Sequence, residues 1–229
     1  MIEFCIHYSG SKGNLYELRS DAGKLIIDPG VSIKLVKQTL NFDLSSVKGA
    51  LCSHCHGDHS KAIPSLVKYG IDVYLTAETA EALKISGHRV NTIEPLKQFK
   101  IEGWTILPFP TYHDTPGSVG FLISDGESKL LFATDTAFIK NRFSGLTHIA
   151  IEVNYSDETM DSETNPYLKR RIMRSHMSLN TAVRFLKSTN LGLVREIWVI
   201  HVSDSNGDPR YFKDEIEKAT GKPTYFLEG

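Results

Sequence analysis

The strongest constraint on the fold of this chain is a set of short apolar segments that each end at a histidine or an aspartate. Four of them lead to metal-capable side chains: residues 49–53 to His54, 104–109 to His113, 129–133 to Asp135 and 196–200 to His201. Segments of this length and composition predict β-strands. We expect the four strand ends to converge on one sheet edge and to bring these side chains together.

The densest group of candidate ligands follows the first of these segments. His54 and His56 are two apart in extended backbone, so they project from one side. Asp58 and His59 come after the Gly57 turn and can face a second centre. An exposed polar loop is the alternative, but unpaired imidazoles rarely crowd together without a ligand to hold them.

The whole candidate set is large enough for two metals that share a carboxylate. It consists of His54, His56, Asp58, His59, His113, Asp135 and His201.

The spacing of apolar residues predicts more strands than helices. Strands are expected at 4–8, 15–19, 24–28, 47–52, 71–75, 104–109, 119–123, 129–134, 148–153, 196–200 and 223–227, the first three as a β-meander. Helices are expected at 33–40, 60–69, 77–86, 178–189 and 209–219, with Ser178 as an N-cap. Two sheets packed face to face with helices outside would bury all these runs. We therefore predict an α+β fold, a four-layer αββα sandwich, formed by residues 1–229 as a single domain.

Composition argues against several other classes of protein. The 26 Lys and Arg balance 27 Asp and Glu, so the chain as a whole does not match nucleic acid or an anionic membrane, and a polyanion must be held by a local patch. Cys5, Cys52 and Cys55 lack the spacing of a disulfide framework. No apolar run approaches the about 18 residues that span a bilayer. We expect an unprocessed cytoplasmic protein, and the sequence leaves a homodimer open.

The His-x-His-x-Asp-His motif followed by spaced His, Asp and His resembles the metallo-β-lactamase fold superfamily. Carried over by position, the resemblance implies that His54, His56 and His113 bind a first metal. Asp58, His59 and His201 would bind a second, and Asp135 would bridge the two. Asp28 matches the aspartate that supports the ligand cluster in that superfamily, although a turn residue before Pro-Gly is the alternative for it.

Finer features resemble the YycJ/WalJ-like branch of the superfamily. They are the stretches 9–14, 133–138, 151–154, 165–178 and 200–203. The branch is associated with phosphodiester cleavage, including exonuclease action on DNA.

A basic cluster stands out in a chain of net charge −1. Lys169, Arg170, Arg171 and Arg174 follow an acidic segment, residues 157–163, and guanidinium groups match phosphate oxygens in a fork geometry. We interpret the cluster as substrate-binding, with a solvated helix face as the alternative. The Gly-rich stretch 9–14 could also present backbone N–H groups to a phosphate, or could simply be a turn between strands.

Asp58 and His176 are the candidate catalytic residues. His176 is not needed for the ligand set and lies between the basic cluster and the helix N-cap, where it could protonate a leaving group or only pack against the helix. Tyr112 could stack on a base or wall the pocket, His7 and His88 are expected to be structural or surface residues, His148 is expected in the core, and Cys55 is expected to point away from the ligands.

These observations predict a binuclear metal-dependent hydrolase that uses a metal-bridging hydroxide, with zinc as the first choice of ion and manganese as the second. A DNA-directed, exonuclease-like nuclease is the leading hypothesis. A phosphodiesterase for a small or cyclic nucleotide is the alternative, favoured by the balanced charge. A thioester or lactone hydrolase would not need the basic cluster, and a non-catalytic scaffold would not need an intact ligand set.

Overall fold

Two β-sheets form the middle of the fold in the computed structural model, which describes residues 1–160 and 165–228. The first sheet has the order β1 (Glu3–Tyr8), β2 (Leu15–Ser20), β3 (Gly23–Ile27), β4 (Val47–Leu51), β5 (Val73–Thr76) and β6 (Val90–Ile93). The second has the order β13 (Thr224–Tyr225), β12 (Glu196–Ile200), β11 (His148–Glu152), β10 (Lys129–Ala133), β9 (Val119–Ser124), β8 (Trp104–Pro110) and β7 (Phe99–Ile101).

Seven helices lie within the described residues. They are α1 (Ile33–Thr39), α2 (Gly57–Ser60), α3 (Ile63–Lys68), α4 (Ala77–Leu83), α5 (Pro166–Ser175), α6 (Leu179–Lys187) and α7 (Pro209–Thr220). Of these, α1, α3 and α4 cover the outer face of the first sheet, and α6 and α7 cover that of the second. The helix α6 begins as predicted, because the Ser178 hydroxyl accepts a hydrogen bond from the N–H of Thr181 at 3.2 Å.

Three buried apolar clusters lie at the interfaces between the layers. Phe4, Trp104 and Phe121 belong to the cluster between the two sheets. A second cluster joins the second sheet to α6 and α7, and a third joins the first sheet to α1, α3 and α4. Three interfaces require four layers, so the predicted αββα sandwich is confirmed.

The direction of the strands brings many of their C-terminal ends to one end of the sandwich. In the first sheet β3, β4, β5 and β6 are parallel, whereas β1, β2 and β3 form the predicted antiparallel meander. In the second sheet β10, β11 and β12 are parallel, and β8 has the same direction because β9 is antiparallel to both β8 and β10. The expectation of a single sheet edge is wrong: β4 belongs to the first sheet, and the other three ligand-bearing strands belong to the second.

Several elements differ from the sequence prediction. The helix expected at 60–69 begins only at Ile63 as α3, with Pro64, which has no N–H, in its first turn, and the separate helix α2 precedes it. The helix α5 and the short strands β6 and β7 were not predicted. Within the acidic segment, residues 161–163 lie outside the described residues. In the described ranges no helix is long and apolar enough to cross a membrane.

The outer face of the β-meander holds one buried carboxylate. The Glu17 side chain is fully buried and accepts hydrogen bonds from Nε2 of His7 at 2.9 Å and from the Arg19 guanidinium at 2.8 Å. Burial raises the pKa of Glu17, but the bonds from His7 and Arg19 outweigh burial and lower it to about 2. His7 is therefore a structural residue of this sheet.

Candidate metal centre

The seven predicted ligands lie together at the end of the sandwich where the strand ends meet. Their donor atoms form overlapping groups, and within each group all donor atoms lie within 4.8 Å of one another. The groups include His54 with His56 and His113, Asp58 with His59 and His201, and Asp135 with His54 and His59. The loop after β4 and the helix α2 contribute two of these side chains each, and the ends of β8, β10 and β12 contribute one each.

The first group is a triangle of imidazole nitrogens. Nδ1 of His56 lies 3.2 Å from Nε2 of His54 and 3.1 Å from Nε2 of His113. Nδ1 of His113 donates to the carbonyl of Ser175 at 2.8 Å, so its Nε2 carries a lone pair when the ring is neutral. Burial lowers the pKa of both His54 and His113, which favours neutral rings. Nitrogens around a tetrahedral zinc would be about 3.3 Å apart, so the triangle fits one ion.

The second group contains a buried nitrogen that lacks a partner. Nε2 of His201 makes no hydrogen bond among the described residues, and Oδ2 of Asp58 lies 3.5 Å from it. The same Oδ2 lies 3.3 Å from Nε2 of His59. A buried polar atom without a partner is costly, and a metal ion held between these three atoms would satisfy it.

Asp135 lies between the two groups and faces each with a different oxygen. Its Oδ1 is 3.3 Å from both Nε2 of His59 and Nδ1 of His201, and its Oδ2 is 3.5 Å from Nε2 of His113. Burial would raise the pKa of Asp135, but the imidazoles of His201 and His59 outweigh burial and lower it. Burial in turn lowers the pKa of His201, but the Asp135 carboxylate outweighs it and raises that pKa to about 10. An ion in the second group would take the place of the His201 proton.

Asp28 is fully buried at the end of β3 and supports both groups. Its Oδ2 accepts from Nδ1 of His59 at 2.9 Å and from the Ser53 hydroxyl at 2.7 Å, and its Oδ1 accepts from the Ser53 N–H at 2.7 Å. The Ser53 hydroxyl lies 2.9 Å from Nδ1 of His54. Asp28 thus orients His59 directly and His54 through Ser53, which is more than a turn residue before Pro-Gly would do.

The loop that carries the ligand motif packs against two neighbouring turns. A Cβ at Gly30 would lie 1.6 Å from the carbonyl oxygen of Asp58, so only glycine fits there. The Asn14 N–H donates to that same carbonyl at 2.8 Å. The N–H groups of Gly10 and Gly13 are bound within their own turn, to Asn14 Oδ1 and to the Gly10 carbonyl. These two N–H groups are therefore not free to bind a phosphate, and for the rest of the stretch 9–14 phosphate binding stays a prediction.

Glu152 is a site residue that the sequence reasoning missed. It is fully buried, and its Oε1 accepts from Nδ1 of His176 at 2.6 Å and lies 3.2 Å from Nδ1 of His201. Its Oε2 accepts from the N–H groups of Thr136 and Met177 at 2.9 and 3.0 Å. The sequence does contain a signal for Glu152, because this residue ends the strand β11 just as the other site residues follow their strands.

The His176 side chain lines the cavity that opens over the donor groups. Its ring is 16% exposed and lies 5.1 Å from the ring of His113 and 5.6 Å from that of His201. His176 also falls in a donor group with Asp135, Glu152 and His201. Because its Nδ1 is bound to Glu152, the ring is held in place by a carboxylate.

A cavity of about 420 Å³, which we call the metal cavity, opens over the donor groups. Its lining includes His56, Asp58, Asp135, Arg171, His176 and His201. A second cavity of about 410 Å³ lies beside it, and we call it the arginine cavity. Its lining includes His113, Asp114, Tyr167, Arg170, Arg171 and Arg174.

The helix α5 carries the basic cluster, and three of its four members line these cavities. Arg171 lines both, and its Nε donates to Oδ2 of Asp114 at 2.7 Å. Arg170 and Arg174 line the arginine cavity. Lys169 lines neither cavity and projects from another side of the helix, so the cavities give no support to its place in the substrate-binding set, which stays a prediction. Asp114, whose Oδ1 lies 3.2 Å from Nε2 of His113, was missed.

The remaining candidates have local partners. The Tyr112 ring stacks on Phe138 with ring centres 4.0 Å apart. Sγ of Cys55 lies 3.1 Å from the Thr115 hydroxyl, and Nδ1 of the buried His148 lies 2.7 Å from the Thr147 hydroxyl.

The fold and the donor groups at its strand ends are those of a metal-dependent hydrolase. Residues 24–202 match the β-lactamase superfamily domain, and the chain belongs to this superfamily.

Two curated relatives are similar to most of the chain. The exodeoxyribonuclease WalJ of Streptococcus pneumoniae is 26% identical over 222 residues, which cover 89% of this chain and 82% of the relative. The exodeoxyribonuclease YycJ of Bacillus anthracis is 26% identical over 225 residues, which cover 90% and 84%. The predicted resemblance to the YycJ/WalJ-like branch is confirmed.

Solved structures have the same architecture. The metallo-β-lactamase fold protein YhfI from Bacillus subtilis has a TM-score of 0.76 at 14% identity, over 99% of this chain and 96% of its own. Igni18, a metallo hydrolase from Ignicoccus hospitalis, has a TM-score of 0.72 at 18% identity, over 100% and 96%. At these identities the likeness establishes the metallo-β-lactamase fold and nothing finer.

Proposed function

We propose that the protein is a metal-dependent phosphodiester hydrolase that degrades DNA as an exonuclease. The observation that carries the proposal is the position of Arg171, whose side chain lines the same cavity as the donor groups. Guanidinium groups bind phosphate oxygens through paired hydrogen bonds, so a phosphodiester can be held beside the metal ligands. The names of the two relatives as exodeoxyribonucleases support DNA as the substrate.

Two divalent ions fit the donor groups. The first would be held by His54, His56 and His113, the second by Asp58, His59 and His201, and Asp135 would contribute to both. The imidazole-rich set favours zinc, with manganese as the second choice because availability also selects the ion. When bound, the ions would lower the pKa of a water molecule and neutralise charge on the phosphoryl oxygens.

In this proposal His176 protonates the leaving group. Its Nδ1 donates to Glu152, and its Nε2 has no hydrogen-bond partner within the described ranges. Cleavage expels an alkoxide whose conjugate acid is very weak. A proton passed from Nε2 to that oxygen would contribute about 10²- to 10⁴-fold to the rate.

Asp58 is the second proposed catalytic residue, and it lines the metal cavity. Its side chain is 25% exposed. Burial would raise the pKa of Asp58, but the imidazoles of His201 and His59 outweigh burial and lower it. The carboxylate is therefore ionised at neutral pH, and it can hold a cation and accept a hydrogen bond from the attacking water.

A phosphodiesterase for a small or cyclic nucleotide is the second candidate. The net charge of −1 favours it, since a nuclease gains affinity by neutralising several phosphates. The two candidates differ in how their substrate affinity depends on salt, because binding of one phosphate gives a shallow slope and binding of several gives a steep one.

The test is a substrate panel with metal analysis. Protein loaded with zinc or with manganese is incubated with linear DNA, circular DNA, linear RNA and cyclic nucleotides, with Asp135→Asn as the control for a contaminating nuclease. We expect linear DNA to be degraded and circular DNA to resist. Neutralising Arg170 and Arg171 together should flatten the salt dependence by about one unit of log-log slope for each phosphate that the variant no longer neutralises. Hydrolysis of cyclic nucleotides without any degradation of DNA would reject the nuclease proposal.

A further inference from the structure

Among the described residues, the arginine cavity shares only His113 and Arg171 with the metal cavity. It lies directly beside the metal cavity, because His113 and Arg171 line both. Tyr167, Arg170, Arg171 and Arg174 form one face of α5, at the spacing of successive helical turns. The cavity is therefore a second, strongly basic compartment, separated from the proposed catalytic centre by the shared side chains of His113 and Arg171.

The charge in this cavity is largely uncompensated. Arg171 is paired with Asp114, whereas Arg170 and Arg174 have neither an ion pair nor a side-chain hydrogen bond among the residues that the structure describes. Three guanidinium groups and one carboxylate give the lining a formal charge of plus two. Their hydrogen-bond donors are free to bind a ligand from solvent.

A phosphate monoester fits this charge better than a phosphodiester does. The monoester carries about −1.5 to −2 at neutral pH and presents three acceptor oxygens. The diester carries a single negative charge and has two unesterified oxygens. Two unpaired guanidinium groups can bind the monoester through paired hydrogen bonds, and the exposed Tyr167 ring at the rim offers a surface on which a base can stack.

We propose that the arginine cavity binds the terminal phosphate monoester of a nucleic acid strand, while the adjacent phosphodiester lies in the metal cavity. This inference rests on the proposed nuclease function and deepens it. It explains how an enzyme of balanced charge selects strand ends: one dianionic end group is recognised instead of a long stretch of backbone. A cyclic nucleotide has no such monoester and would leave the cavity empty.

The test compares oligonucleotides of one sequence that carry a 5′-phosphate, a 3′-phosphate or hydroxyl groups at both ends. The variant is Arg170→Gln with Arg174→Gln, and the matched control is Lys169→Gln, an exposed cation on the same helix that lines neither cavity. We expect the wild type to bind one of the phosphorylated forms at least tenfold more tightly than the hydroxyl form. The double variant should lose this preference, and Lys169→Gln should keep it.

Binding is measured by fluorescence anisotropy in EDTA as well as by cleavage rates with metal, so that the phosphate site is tested apart from catalysis. Metal content and the thermal unfolding midpoint of each variant establish that it is folded. A wild type that degrades DNA but binds all three oligonucleotides equally would overturn the inference and leave the nuclease proposal standing. So would a preference that survives in the double variant or disappears equally in Lys169→Gln. A preference that depends on Arg170 and Arg174, in a protein that cleaves no nucleic acid, would support the phosphate site and reject the nuclease function.

Discussion

Replacing Asp28 by asparagine should weaken metal binding at one of the two proposed positions and not at the other. Asparagine has the shape of aspartate, but one of its two acceptor oxygens becomes an NH2 group that can only donate. Oδ1 of Asp28 accepts one bond, from the Ser53 N–H, whereas Oδ2 accepts two, from His59 and from the Ser53 hydroxyl. An asparagine that keeps the backbone bond must turn its NH2 group towards Nδ1 of His59, which is also a donor. His59 then has no acceptor.

The size of the effect follows from the missing acceptor of His59. Removing the partner that orients a metal-binding histidine weakens metal affinity about 10- to 100-fold, or about 1.4–2.7 kcal/mol. We expect this weakening for the ion held by His59 and little change for the ion held by His54, because the Ser53 hydroxyl can rotate to accept from the new NH2 group. Ser53→Ala should give the opposite pattern, since it removes the partner of His54 and leaves the bond between Asp28 and His59.

Competition titrations with a chromophoric chelator measure the two dissociation constants, and thermal unfolding of the metal-free variants accounts for any loss of stability. A crossed pattern, with each variant weakening a different ion, is the expected result. Equal weakening of both ions by both variants, or an unchanged second ion in Asp28→Asn, would refute the assignment of Asp28 as the support of His59.

Three further predictions concern the chemistry, the ligand sets and the pH dependence of stability. His176→Ala should reduce turnover of a nucleic acid at least a hundredfold, yet change turnover of a nitrophenyl phosphodiester less than about tenfold, because nitrophenolate needs little protonation; equal reductions on both would contradict a general acid. Asp58→Ala and His59→Ala should each lower metal content towards one ion per chain, measured by plasma emission spectroscopy, and two ions in both variants would disprove the ligand assignment. The lowered pKa of Glu17 stabilises the fold above its ordinary value of 4.5, and this contribution, about 3 kcal/mol, is lost as the pH falls towards 2. In urea unfolding, the advantage of wild type over Glu17→Gln should therefore shrink at acid pH, while the exposed control Glu3→Gln stays close to wild type throughout.

The positions of the ligands along the chain could be predicted, because an apolar strand that ends at a polar side chain is a local pattern. Which sheet each strand joins depends on pairing with strands that are distant in sequence, and a local pattern does not reveal it. The strand β4 pairs with β3 and β5, and nothing within residues 47–51 distinguishes that pairing from one with β10. The seven predicted ligands therefore lie together, but on two sheets instead of the one that was expected.

Glu152 and α5 were missed for different physical reasons. Glu152 lies in an apolar strand, and only the three-dimensional structure reveals that two histidines and two backbone N–H groups meet its carboxylate. The helix α5 is mostly polar, and Ser175 is its only buried residue, so its apolar residues are too few to form a run that predicts a helix. The cluster was recognised by its charge, but only the helix geometry separates Lys169 from the three arginines. The single domain, the homodimer and the cytoplasmic location stay predictions.

The division of the ligands between two sheets makes the metal centre a removable crosslink. An ion held by His54 and His113 joins the first sheet to the second across the apolar interface between them. Whatever separates the sheets destroys the binding site, so free metal stabilises their docking by about 4 kcal/mol at a thousand times its dissociation constant. A metal titration that follows amide hydrogen exchange along the inter-sheet strands would thus measure, in one experiment, how firmly the two halves of the sandwich hold each other.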